Sequence, residues 1–280
     1  MLSIMNRSRR SQVGFVLMLV MLACLTVTAG QNKRKDRILK KLSFDENAKK
    51  VNVFDGMEDG SLEVKVVSKD SLSAKIYIEN KSDVPLTVEI PKAVATKHTL
   101  KQFGAGVGGN TGGGNNQNQS TGGSTGGAGG YGSGGGGSTF SIPAGKIAKV
   151  PYKSVCLEHG KKEPNSKKRY ELVKIETVTN NPAVVVLVGE LNNPKVNQMA
   201  AQAAIWRMAN KMSWARLSAK MMNRRNSYFT PAQISQGKQL ASMATIEAID
   251  REEAENNSEE EKQTPPRKSI RQLNLEAINK

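Results

Sequence analysis

Cysteine and histidine are nearly absent: the 280-residue chain holds only Cys24 and Cys156, and only His98 and His159. Cys24 sits in an N-terminal apolar run, so Cys156 stands alone in the body of the protein. An internal disulfide is excluded there, and the fold has to rest on its hydrophobic core. A lone thiol suggests a reactive or intermolecularly paired site if the chain is exported, or a small buried hydrophobe. Cys156 and His159 supply too few ligands for zinc, which takes three or four. They are also too close in sequence for a typical Cys–His nucleophilic pair, whose members come from distant segments. Gly-x-Ser-x-Gly, His-Glu-x-x-His and phosphate-loop patterns are missing as well. No catalytic, cofactor-binding or metal-ligating residue is therefore expected.

Acidic residues are few beside basic ones, 25 against 41, which gives a formal net charge of +16. The N-terminus explains where that charge works. Arg7, Arg9 and Arg10 precede an apolar stretch over residues 13–27, and Thr28-Ala29-Gly30 supplies a small-residue exit. Charge, apolar core and small exit in that order mark residues 1–30 as a cleavable secretory signal. The competing readings are a membrane anchor and a lipidated Cys24. An anchor needs about twenty apolar residues, and lipidation is opposed by Leu22 and by the apolar residues after the cysteine. An exported protein works in the periplasm, the cell envelope or the extracellular space. A basic chain in the cytoplasm would suggest nucleic acid, but outside it none is expected. An anionic envelope or extracellular polymer, or an acidic protein, is the partner class that fits. A membrane would be met only through an uncleaved signal segment.

Hydropathy then divides the chain. Residues 31–60 form a basic lead-in, with a short helix expected around Ile38 and Leu42. Leu62, Val64 and Val66, then Leu72, Ala74, Ile76 and Ile78, then Val84, Leu86, Val88 and Ile90 alternate with polar residues. Period two over such lengths predicts half-buried antiparallel strands. Strand-like sequence returns at residues 139–142, 146–153 and 170–175. Between them, half of residues 104–138 are glycine and most of the rest are small and polar. Such a composition buries too little apolar surface to offset its ordering entropy, so a disordered loop inserted in a β-domain over residues 61–176 is expected. The fold class expected is α+β: a small antiparallel β-sandwich-like domain with that insertion, followed by a helical region over residues 177–254. Asn181-Pro182, Asn193-Pro194, Ser213 and Thr230-Pro231-Ala-Gln233 are helix-start signals. Residues 255–280 read as a disordered charged tail.

One helix is expected to carry the feature of most interest. On a 100° wheel Met199, Gln202, Ala203, Ile205, Trp206 and Ala209 share a broad face, so Gln202 lies inside an apolar stripe. A buried amide without a partner costs about 1–3 kcal/mol, so a partner is expected: either a loop backbone or something more specific. Met199, Ile205 and Trp206 are expected in the core, with Trp214 more peripheral.

Gln202-Ala-Ala-Ile-Trp206 resembles the Gln-x-Ala-Ile-Trp motif of bacterial surface thioester domains, and Val155-Cys156-Leu157-Glu158 resembles their cysteine motif. That resemblance implies a covalent Cys156–Gln202 thioester, although Ala201 stands where that family carries threonine. Across most of the chain, Ile76-Tyr-Ile-Glu-Asn80 to Pro85-Leu-Thr-Val-Glu-Ile-Pro91, the glycine-rich insert, Val155-Cys-Leu-Glu-His-Gly160, Ala201-Gln-Ala-Ala-Ile-Trp206, Ser213-Trp214 and Tyr228-Phe-Thr are similar to an uncharacterised family of exported bacterial proteins. The resulting expectation is an exported, non-enzymatic interaction protein of the envelope or extracellular space. The alternatives are a covalent adhesin-like module and, third, a hydrolase.

Overall fold

The computed structural model describes residues 37–99, 118–126 and 137–263. The expected signal segment, most of the glycine-rich insert and the chain after residue 263 lie outside the described residues. Among the described residues, nine strands and five helices follow one another: β1 (Lys49–Asn52), α1 (Val53–Glu58), β2 (Leu62–Ser68), β3 (Ser73–Asn80), β4 (Leu86–Ile90), β5 (Val94–His98), β6 (Thr121–Ser124), β7 (Ser138–Ile142), β8 (Ile147–Cys156), β9 (Tyr170–Lys174), α2 (Pro182–Gly189), α3 (Gln198–Ala209), α4 (Trp214–Ser218) and α5 (Pro231–Gln263).

The α+β class holds, but the sheets do not form a sandwich. Six strands close a barrel in the order β2-β3-β8-β6-β5-β9, and β1-β4-β7 make a separate three-stranded sheet. Closure depends on one seam, where Val66 of β2 pairs with Tyr170 of β9. Alternation of apolar and polar residues is the same in a barrel wall as in a sandwich leaf, so the pattern could not distinguish them. Val66, Ile76, Ile78, Val94, Val150, Tyr152 and Leu172 fill the interior together with the inner side of the small sheet, including Val88, Phe140 and Ile142.

Glycine accounts for the largest departure from expectation. Residues 118–126 of the insert are ordered, and β6 within them pairs with both β5 and β8. Its two glycines are there for clearance. A Cβ on Gly123 would meet the Lys153 carbonyl oxygen and the Tyr152 ring at 2.5 Å, and one on Gly122 would meet Leu157 and Val188 at 2.9 Å. Successive strand residues face opposite sides, so Gly123 admits Tyr152 into the barrel while Gly122 admits α2 against its wall. A sequence scan for apolar alternation cannot see a strand whose central residues are glycines and whose ends are Thr121 and Ser124.

The lead-in also differs from expectation. It has no helix around Ile38. Ile38 and Ser43 instead bridge to Ile147 and Ser141, and the helix comes later, at α1. Asn52 caps that helix by accepting from the Phe54 N–H at 2.9 Å.

The helices cover the wall made by β5, β6 and β8. Asn181 caps α2 and Asn197 caps α3, so the firm helix starts four residues after Pro194 rather than at it. α4 is shorter than its Ser213 cap suggests and ends at Ser218. Thr230 and Gln233 exchange backbone and side-chain hydrogen bonds at the start of α5, the reciprocal capping box. α3 lies between the barrel and α5 and is buried from Ala200 through Trp206. The one-sided apolar face is thus corrected: alanines fill both sides, and Gly237 of α5 lies against Ala200 and Ala203. α5 runs past residue 254 to Gln263, and its residues from 249 to 258 are exposed.

Removing residues 104–138 would take β6 out of the barrel, so that deletion should abolish cooperative unfolding rather than be tolerated. Gly123→Ala should by itself cost roughly 1–3 kcal/mol through overpacking. Urea denaturation of both variants tests this.

Candidate functional site

Strand β8 outlasts its neighbour. β3 begins at Ser73, opposite Lys153, and the Ser154 N–H still donates to the Leu72 carbonyl at 3.0 Å, but beyond it the Ser154 carbonyl and the Cys156 N–H and carbonyl have no strand on that side to pair with. Two glutamines of α3 occupy the vacancy. Gln198 Nε2 donates to the carbonyl oxygens of Ser154 and Leu72, each at 2.6 Å. Gln202 Oε1 accepts from the Cys156 N–H at 2.7 Å, and Gln202 Nε2 donates to the Cys156 carbonyl at 3.0 Å. The match is one of lengths. Four helical residues rise about 6 Å and two strand residues about 6.6 Å, so side chains at i and i+4 of the helix meet carbonyls at i and i+2 of the strand. Gln202 is fully buried, and its amide completes the ladder as a neighbouring peptide would.

The Val155-to-Gly160 segment turns this corner. Val155 and Leu157 face the core with α2 and α3. Glu158 accepts from the Ser120 N–H at 2.9 Å and pairs with Lys161, tying the start of β6 to the corner. Burial pushes the Glu158 carboxyl up, but those two partners outweigh it and hold it below the ordinary range. Gly160 takes the left-handed conformation at φ +92° that lets the chain turn away.

Cys156 is buried, and that burial pushes its thiol up to about 12. A hydrogen bond with Ser71 opposes the shift, and the Glu163 and Asp70 carboxylates add to it. Glu163 belongs to a polar layer at this end of the barrel: it accepts from the Ser71 N–H at 2.8 Å and from Gln119 Nε2 at 2.7 Å. The thiolate needed for nucleophilic attack is disfavoured in such surroundings.

On the other side of α3, Trp206 packs among Cys156, Leu217, Phe229 and Ile234. Its ring meets the edge of His159 at a centroid distance of 4.7 Å and lies 5.4 Å from Tyr228. The Lys220 ammonium is 5.3 Å from the Trp206 ring centroid and 3.1 Å from His159 Nε2. Burial lowers the His159 pKa, and Lys220 and Arg216 lower it further, so the neutral ring accepts from Lys220. Ile205 is fully buried, while Met199 and Trp214 pack at the margin of the Trp206 cluster. Gln198 and Lys220 were not singled out from sequence, although the Gln198/Gln202 i,i+4 spacing carried the signal for the first.

Among the described residues no group of three or more His, Cys, Asp or Glu is placed to hold a metal, and no helix is long and apolar enough to cross a membrane. No family model, curated protein or solved structure matches the chain. The site must be read from its own chemistry.

Gln202→Ala leaves two buried backbone groups of residue 156 without partners. At about 1–3 kcal/mol each, the expected loss is roughly 2–6 kcal/mol by chemical denaturation. Gln202→Met, which keeps the volume, should lose nearly as much. Cys156→Ala, which keeps the peptide, should lose only about 1 kcal/mol.

Alkali supplies a second test. The unfolded thiol ionises near 8.5 and the folded one only near 12. Both states are protonated below the lower value, so the thiol imposes no penalty there. Between the two values only the unfolded state loses its proton, and stability should fall by up to about 1.4 kcal/mol per pH unit. Cys156→Ala should flatten that slope between about pH 8.5 and 10, before tyrosines contribute.

Proposed function

We propose that this chain is an exported, non-enzymatic interaction protein of the cell envelope or extracellular space, and that the outer face of β2, β3 and β8 receives an anionic polymer. The observation that carries the reading is a register. Tyr77 stands between Lys65 and Lys149 across the ladder, with Val67, Lys75 and Pro151 in the next outward-facing row and Lys153 beyond. Neighbouring strands lie about 4.8 Å apart, so the two lysines flank the tyrosine ring at roughly 10 Å from each other.

A groove of about 290 Å³ runs over this face, lined by Ile38, Lys65, Val67, Tyr77 and Ile147, with Glu63 and Glu79 at one end. Those two carboxylates are engaged by Arg37 and Lys81, which leaves the lysine rows to an outside partner. Repeating anions on an extended chain suit such rows, and the flat side of a sugar ring suits a half-buried tyrosine at the floor of a groove. An acidic polysaccharide combines both. The polymer reading calls on no reactive group, consistent with a thiol held in its protonated form. A hydrolase would need residues that this face does not supply.

The second reading, a covalent adhesin-like module with a Cys156–Gln202 thioester, is favoured by one fact, the contact between the Gln202 amide and the Cys156 peptide. Thioester formation joins Cys156 Sγ to the Gln202 carbonyl carbon and releases ammonia. Intact mass of the purified protein therefore separates the readings: the polymer reading expects full mass and one thiol titratable only after unfolding.

On an immobilised acidic polysaccharide, wild type should elute at higher salt than Lys65→Glu/Lys149→Glu, and a neutral polysaccharide should retain neither. Equal elution of variant and wild type would remove the support for this face.

A further inference from the structure

A different part of the molecule points to a different surface. After α4 the chain makes a small hairpin, in which Met221 bridges to Ser227. Its arms are joined by the Tyr228 N–H donating to the Lys220 carbonyl at 2.8 Å and the Met222 N–H donating to the Asn226 carbonyl at 2.9 Å. Asn223 Oδ1 closes the turn, accepting from the N–H groups of Arg225 at 3.0 Å and Asn226 at 2.9 Å. The base is fixed as well, because Lys220 and Tyr228 are the residues seated on Trp206 and His159. The hairpin is therefore built before any ligand arrives.

Its tip runs against the usual surface pattern. Met221 is 49% exposed and Met222 63% exposed, next to the exposed Arg224 and Arg225. Neither arginine is in an ion pair among the described residues, nor is Arg216 on the neighbouring helix. From Leu191 to Ile246 the chain carries lysines and arginines but no carboxylate. Adjacent exposed apolar side chains cost solvation and need an apolar destination. Cations beside them need an anionic one. A soluble anionic polymer offers only the second. A bilayer carrying anionic phospholipid offers both at the right depths, with headgroup phosphates for the guanidinium groups and acyl boundary for the thioethers.

We propose that the Lys220–Tyr228 hairpin is a membrane-surface contact, with Met221 and Met222 entering the headgroup boundary of an anionic phospholipid bilayer and Arg224 and Arg225 holding its phosphates. This contact is peripheral and does not involve the residues of the polymer-binding face.

Vesicle co-sedimentation of the full chain tests it, using phosphatidylcholine alone and phosphatidylcholine mixed with phosphatidylglycerol. Binding to the mixed vesicles should fall roughly tenfold in Met221→Ser/Met222→Ser and again in Arg224→Ser/Arg225→Ser, since each surface cation contributes severalfold. Met243→Ser/Ile246→Ser, which alters exposed apolar residues of α5, should bind as wild type. All these positions are solvent-exposed, so unchanged thermal midpoints should accompany the losses. Equal binding by the hairpin variants would overturn the proposal, because another segment, such as the apolar N-terminus, would then carry attachment. Binding that ignores the anionic lipid, or hairpin variants that lose a soluble acidic polysaccharide to the same degree, would overturn it too. Failure here leaves the Lys65/Lys149 elution test unaffected, and the reverse also holds.

Discussion

The architecture depends on how a barrel strand is finished when its neighbour stops short. Buried backbone donors and acceptors must be paired, and at the end of β8 the pairing comes from two glutamine side chains on a helix. That requirement fixes the rotation of α3 about its axis and its height along the barrel, because both amides must align together. Once α3 is fixed, Trp206 has to lie beside His159, and α5 has to pack against the remaining alanine side through Gly237. The polar contacts supply the register, while apolar burial supplies most of the driving force. Removing the amides would leave the same area to bury but no unique way of burying it.

A close approach on one side reinforces this. Gly122 brings α2 against the barrel wall, and the Asn192 side-chain amide donates to the Ser124 carbonyl at 2.9 Å. Lys92 and Glu190 form an ion pair across the same junction. The helical layer is thus attached to β6 as well as to β8, the two strands that pair directly with each other.

Sequence made some of this legible, for reasons that can be given residue by residue. Strands with side chains on both faces, such as Ser73–Asn80, declare themselves by period two. β6 does not, since its two central residues are glycines whose function is to leave space. The Gln202 partner could be anticipated because an amide amid Ala203, Ile205 and Trp206 has to be satisfied, and the available choices were few. The burial of α3 on both sides could not, because alanine is equally at home facing a barrel or a second helix. A sandwich and a barrel share their alternation and differ only in whether the last strand meets the first, a fact held by the single Val66–Tyr170 pair. The continuation of α5 beyond residue 254 reflects helix-favouring glutamate, lysine and glutamine outweighing the charge density that suggested a tail.

The short reach of β3 has a consequence in time. While the chain folds, the β2–β3 hairpin is local and closes within microseconds, and β8 can join it before α3 exists as a packed helix. Until α3 arrives, the end of β8 is an open edge with unpaired amide and carbonyl groups, flanked by the apolar Val155 and Leu157. Open edges of that kind recruit strands from other molecules. The glutamines therefore guard against aggregation as well as completing a ladder, and a chain cut before Gln198 would carry a permanently adhesive strand end.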